Sequence, residues 1–117
     1  MSNYNKNVDL YVNGMDEVGV LYSPSFGAGW STWNSDCYAY DKRIVEKFIE
    51  DPDMFHNDTG RYQDLAAFMS ALGYDGYYGG ARDLCLTFIP KGTLFRIDEY
   101  DGREGIELFD TSNYICF

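Results

Sequence analysis

Asp101-Gly102 lies between two runs of alternating residues, 94–100 and 103–109, and this limits the possible folds more than any other feature of the chain. Asp-Gly supplies the two left-handed residues that a tight hairpin turn needs. With Tyr100 opposite Arg103, Ile97 falls opposite Ile106 and Phe95 opposite Leu108 on one face. Arg96 then meets Glu107 on the other face. One apolar face and one charged face is the signature of a half-buried antiparallel sheet. Near the turn, Glu99 faces Glu104, a like-charge pair that costs a little unless solvent, a cation or a basic partner lies between them.

Three more strands are expected, at residues 8–12, 18–22 and 83–89, the last leading into a Pro90-Lys91-Gly92 turn. Between the first two, a two-residue turn at Asn13-Gly14 would set Leu10 against Glu17. A five-residue loop, Asn13 to Glu17, instead pairs Val12 with Val18, Leu10 with Val20 and Val8 with Tyr22, keeping apolar residues together. Asp41 reads as the N-cap of a helix with the stripe Ile44, Val45, Phe48 and Ile49, ended by Asp51-Pro52. Asp58 or Thr59 is expected to cap a second helix, with the stripe Tyr62, Leu65, Ala66, Met69 and Leu72 and Gly73 just past its end. The expected fold is α+β: one antiparallel sheet of about five strands with two helices packed on one face. The 117 residues suit a single domain, 1–117, with its own core.

The formal net charge of −10 is spread along the chain. Residues 1–60 hold 10 acids and 4 bases, and residues 61–117 hold 9 and 5. Such a field repels phosphates and anionic headgroups, so direct binding to nucleic acid or membrane is disfavoured, and it attracts a basic protein surface. The same charge also serves solubility. No apolar run reaches transmembrane length, and the first residues lack the apolar stretch of a signal peptide. Cys37, Cys85 and Cys116 are scattered and odd in number, which suits free thiols in a reducing compartment.

No familiar catalytic or metal motif stands out. Asp51, Asp53, His56 and Asp58 cluster in sequence, but the order and glycine of a calcium loop are missing, and a polar inter-helix loop is expected. One histidine in the chain makes a structural zinc site improbable. Gly27-x-Gly29 lacks the remaining residues of a dinucleotide or Walker loop, Gly-x-Ser-x-Gly is absent, and no cofactor is expected. Two aromatic segments are the candidate recognition elements. The loop 23–35 carries Phe26, Trp30 and Trp33, which either plug the core or bind a partner. The segment 73–80 interleaves glycines with Tyr74, Tyr77 and Tyr78, as adaptable binding loops do. Glu99, Asp101 and Glu104 at the hairpin tip are the acids most readily presented to a basic partner.

Two segments, 18–34 (VGVLYSPSFGAGWSTWN) and 83–102 (DLCLTFIPKGTLFRIDEYDG), resemble a family of small acidic uncharacterised proteins of bacteriophages and prophages. The likeness spans roughly residues 8–50 and 79–109. It implies a cytoplasmic accessory protein that binds, and inhibits, a host protein with a basic, nucleic-acid-binding surface, such as a restriction or CRISPR nuclease. No functional residue is inherited from it. A second, shorter likeness joins Leu72-Gly73-Tyr74-Asp75-Gly76 with Ile89-Pro90-Lys91-Gly92-Thr93 and is similar to the tail of some ADP-ribosyltransferase domains. It implies the alternative of a small nucleotide-using enzyme, although the Glu-x-Glu and His-x-Tyr signatures of that fold are missing.

Overall fold

The computed structural model describes residues 8–56 and 60–108. Their order is β1 (Glu17–Tyr22), α1 (Cys37–Tyr40), α2 (Lys42–Glu50), α3 (Pro52–His56), α4 (Tyr62–Ala71), β2 (Cys85–Pro90), β3 (Phe95–Tyr100) and β4 (Arg103–Leu108). Short 3-10 turns occupy Ser31–Trp33 and Gly79–Asp83. The class is α+β, but the strands form two antiparallel pairs, β1–β2 and β3–β4, instead of one five-stranded sheet.

The β3–β4 hairpin has the expected register throughout: Tyr100 faces Arg103, Ile97 faces Ile106 and Phe95 faces Leu108. Asp101 and Gly102 both take positive φ, 53° and 85°, as the tight turn demands. On the outer face Arg96 meets Glu107 at 3.0 Å and Asp98 at 3.0 Å.

The turn before β1 follows the five-residue register at its closing pair, Val12 with Val18. The Asn13 side chain decides it, since its Oδ1 accepts from the backbone N–H groups of Met15 (2.9 Å) and Glu17 (3.0 Å). The ladder stops there. Leu10 bridges Asp41 instead of Val20, so 8–12 is not a continuous strand. β1 finds its partner in β2, from Glu17 opposite Pro90 to Tyr22 opposite Cys85. It is buried on both faces: Val18 and Val20 enter a cluster with Tyr40 and Ile89, and Leu21 enters the main core with Trp30, Ile44 and Phe55.

Asp41 caps α2 as its position predicts, accepting from the Arg43 backbone N–H at 2.9 Å. Its second oxygen accepts from Arg43 Nη2 and from the Tyr74 hydroxyl, both at 2.7 Å, so one buried carboxylate ties α2 to the segment after α4. α4 ends as expected, with Gly73 at φ 93°. Its N-cap is Arg61; the expected caps Asp58 and Thr59 lie outside the described residues. Residues 52–56 correct the expectation of a polar loop. They form α3, because Met54 and Phe55 are both buried in the core.

Trp30 is fully buried, its ring against Tyr38 (5.1 Å) and Phe55 (6.3 Å), and its indole N–H donates to the Tyr38 carbonyl at 2.6 Å. Trp33 stays 44% exposed. Trp30→Ala is therefore expected to cost about 3–5 kcal/mol, against about 1 kcal/mol for Trp33→Ala, as read by chemical denaturation.

Burial alone would raise the Asp41 carboxyl, but the hydrogen bonds from Arg43 and Tyr74 outweigh it and hold the group below the usual aspartate range. A folded-state pKa below the unfolded value of about 3.9 contributes stability that is complete above that value. The contribution disappears as pH falls through the lowered one. Asp41→Asn is expected to be less stable at neutral pH and to lose less on acidification than the parent, measured by denaturant midpoints between neutral and acidic pH.

Candidate functional site

The loop between β1 and α1 is irregular, yet it is held at many points, and the holding group is Glu104. The hairpin register places position 104 on the same face as Ile97 and Ile106, which is the face turned toward the protein. Glu104 is accordingly 2% exposed. Its Oε1 accepts from the Ser23 backbone N–H at 2.8 Å. Its Oε2 accepts from the backbone N–H groups of Trp30 (2.7 Å) and Thr32 (3.0 Å) and from the Thr32 hydroxyl (2.6 Å). Its own N–H donates to the Ser23 carbonyl at 2.7 Å. None of the ion pairs among the described residues involves Glu104. A buried carboxylate is costly unless its oxygens are satisfied, and four donors, three of them fixed main-chain groups, do that here.

The hairpin turn closes onto the same loop. Gly27 N–H donates to the Asp101 carbonyl at 3.0 Å. A Cβ on Gly102 would collide with the Ala28 backbone, and one on Gly80 would collide with the Gly29 carbonyl. Backbone meets backbone at both places, which only glycine permits.

With its main chain held, the loop divides its rings. Trp30 points into the core. Phe26 is 59% exposed, edge-on to the still more exposed Tyr100 at 6.4 Å, with the Arg103 guanidinium 5.4 Å from its ring centre. Trp33 stacks on the exposed Tyr77 at 5.7 Å and 25°. Asn34 locks that pair: its amide N donates to the Trp30 and Tyr77 carbonyls, both at 2.7 Å, and its Oδ1 accepts from the Tyr77 N–H at 2.8 Å. The structure thus brings Phe26, Trp33, Tyr77 and the hairpin tip to one loop system.

The remaining expected site residues have other surroundings. Tyr78 is buried, and its hydroxyl donates to the Tyr74 carbonyl. Tyr74 is half-buried on Asp41. Burial is the leading cause that raises the Tyr74, Tyr38 and Tyr78 hydroxyls above the ordinary tyrosine range, so they stay protonated donors. Asp101 is exposed at the tip, and Glu99, also exposed, turns back to accept from the Gly102 N–H at 2.7 Å. Glu104 corrects the expectation of an easily presented acid: its carboxylate faces inward. The Glu99–Glu104 repulsion is relieved because each side chain is drawn to main-chain N–H donors.

Among the described residues, no three His, Cys, Asp or Glu side chains are arranged to hold a metal, and no helix is long and apolar enough to cross a membrane. Cys37 is buried and Cys85 exposed, and no disulfide joins them; Cys116 lies outside the described residues. His56 Nε2 lies 3.0 Å from the Leu84 carbonyl, and its ring packs on Phe48. The two segments with a transferase likeness lie at the end of α4 and at the β2–β3 turn. Comparison of the chain with known protein families, characterised proteins and solved structures finds no match.

Glu104→Ala would leave three main-chain donors and one hydroxyl unsatisfied. The expected loss is about 3–5 kcal/mol at one to a few kcal/mol per orphaned group, after partial rehydration. Glu104→Gln keeps one acceptor and is expected to lose less. Denaturation of both variants, with amide exchange at Trp30 and Thr32, measures this.

Proposed function

We propose that this chain is an acidic protein-binding module whose loop 23–34 docks on a basic surface of a host protein and inhibits that protein. The observation that carries the reading is the division of the loop. Its backbone is anchored by Glu104 while Phe26 and Trp33 are left at the surface beside Tyr100 and Tyr77. Large exposed rings on a pre-ordered backbone suit binding, because little ordering entropy remains to be lost and aromatic residues dominate interface energies. Exposed acids accompany them: Asp98, Glu99 and Asp101 on the hairpin, and Asp36 and Asp75 close in sequence to Trp33 and Tyr77.

The charge supports a basic partner. A chain of net −10 approaches a nucleic-acid-binding groove with carboxylates standing in for phosphates, and its association is steered by that field. The likeness of residues 18–34 and 83–102 to small acidic bacteriophage proteins supports a bacterial cytoplasmic setting and a defence nuclease as the class of target. Inhibition then follows from occupancy, since a groove filled by this protein is closed to nucleic acid.

The test is capture from a bacterial lysate by the immobilised protein and by the double variant Phe26→Ala/Trp33→Ala, across a salt series. The wild type is expected to enrich a basic protein at low salt and to release it as salt rises. The double variant is expected to keep its thermal midpoint within a few degrees and to lose the enrichment. A partner held equally by both proteins would place recognition away from this loop.

A further inference from the structure

A cavity of about 320 Å³ opens beside the β2–β3 turn, walled by Leu10, Val18, Tyr40, Ile89, Leu94 and Phe95. It adjoins the second hydrophobic cluster, and none of the residues assigned to partner binding is among its lining residues. The volume is about twice the roughly 150 Å³ that accommodates a benzene molecule, leaving room for about a dozen non-hydrogen atoms. Such a size falls at the lower end of small-molecule sites.

The charge at the cavity is the informative feature. Among the described residues no acidic side chain lines this space, and the single charged lining residue is Lys91. Lys91 sits on the exposed turn between the strands, where its main chain is fixed: its N–H donates to the Asp16 carbonyl at 3.1 Å, and the Thr93 N–H closes the turn on the Pro90 carbonyl at 3.0 Å. Its ammonium is in none of the ion pairs among the described residues. Among the described residues the lining is therefore largely apolar with one cationic residue, Lys91, in a protein of net charge −10. Asp16 and Glu17 lie across from the turn, through the Lys91–Asp16 bond and the Glu17–Pro90 pair, and Asp9 and Asp41 adjoin the lining residues Leu10 and Tyr40 in sequence, but none of the four lines the space.

We propose that this cavity binds a small amphipathic carboxylate, a medium-chain fatty acid, with its alkyl chain against Val18, Ile89 and Phe95 and its carboxylate at Lys91. Burying the chain removes apolar surface from water and restores the dispersion contacts that an empty apolar space lacks. The single cation selects an anionic head over a neutral or cationic one.

The probe is octanoate, titrated below micelle formation against uniformly labelled protein, with octanol and octylammonium as controls. Octanoate is expected to shift the amide resonances of Gly92, Thr93, Leu94 and Phe95 saturably at about millimolar concentration. Lys91→Ala is expected to weaken octanoate about fivefold, as loss of a rim ion pair does, and to leave octanol unchanged. Leu94→Trp is expected to fill the space and abolish both; if that variant does not fold, Lys91→Ala and the head-group series decide. Three outcomes overturn the proposal: no saturable shift up to about 10 mM, octylammonium acting on these residues as strongly as octanoate, or Lys91→Ala binding octanoate as well as the parent.

Discussion

The structure depends on one buried carboxylate, Glu104, that makes no ion pair among the described residues. Glu104 is taken out of water and receives four hydrogen bonds in return, three from main-chain N–H groups at Ser23, Trp30 and Thr32. Main-chain donors have advantages over a lysine here. They cost no side-chain entropy to hold, and they come in a fixed arrangement once the loop is formed. The dependence is mutual, because the loop is irregular and has no ladder of its own to satisfy those N–H groups. A two-stranded hairpin is marginal alone, and this one is joined to the rest of the molecule by Glu104 and by the Ile97 and Ile106 face.

From that constraint the surface follows. A loop anchored at residues 23, 30 and 32 has little freedom between those points, so the side chains that do not enter the core project outward in set directions. Gly80 and Gly102 let two other segments press against its backbone, where any Cβ would force them apart. Trp30 fills the space beneath, and its packing on Tyr38 and Phe55 stops the anchored loop from lifting. Trp33 and Phe26, from the same short run of sequence, stay exposed at the surface.

What could be read from the sequence was local. The β3–β4 register, the Asp101-Gly102 turn, the Asp41 cap and the Gly73 stop each depend on residues a few positions apart, and the structure has all of them. The division into two sheets was not legible, because β1 and β2 pair residues far apart in sequence, from Glu17 with Pro90 to Tyr22 with Cys85, and Leu10 leaves the expected ladder for Asp41. Met54 and Phe55 were hidden by the Asp, Pro and His around them, although two adjacent large apolar residues in a polar stretch were a signal of burial. The sharper omission was Glu104. The correct register already placed it on the Ile97/Ile106 face, and a carboxylate at an inward position must find donors. Its location near a turn suggested exposure, but parity along the strand was the stronger argument.

Among the described residues, Asp41 and Glu104 are the two buried carboxylates. Asp41 closes α2 onto Tyr74, and Glu104 closes the hairpin onto the loop. The other described acids lie at or near the surface, where single charges contribute little to stability and sum into a long-range field. Architecture and attraction are thus assigned to different members of the same residue type. An exposed acid such as Asp98 can change with small effect on the fold and a direct effect on the field around the protein. At 41 or 104 the same substitution removes an anchor. On the proposed reading, a surface divided in this way can be retuned toward different basic partners while the loop that carries Phe26 and Trp33 stays in place.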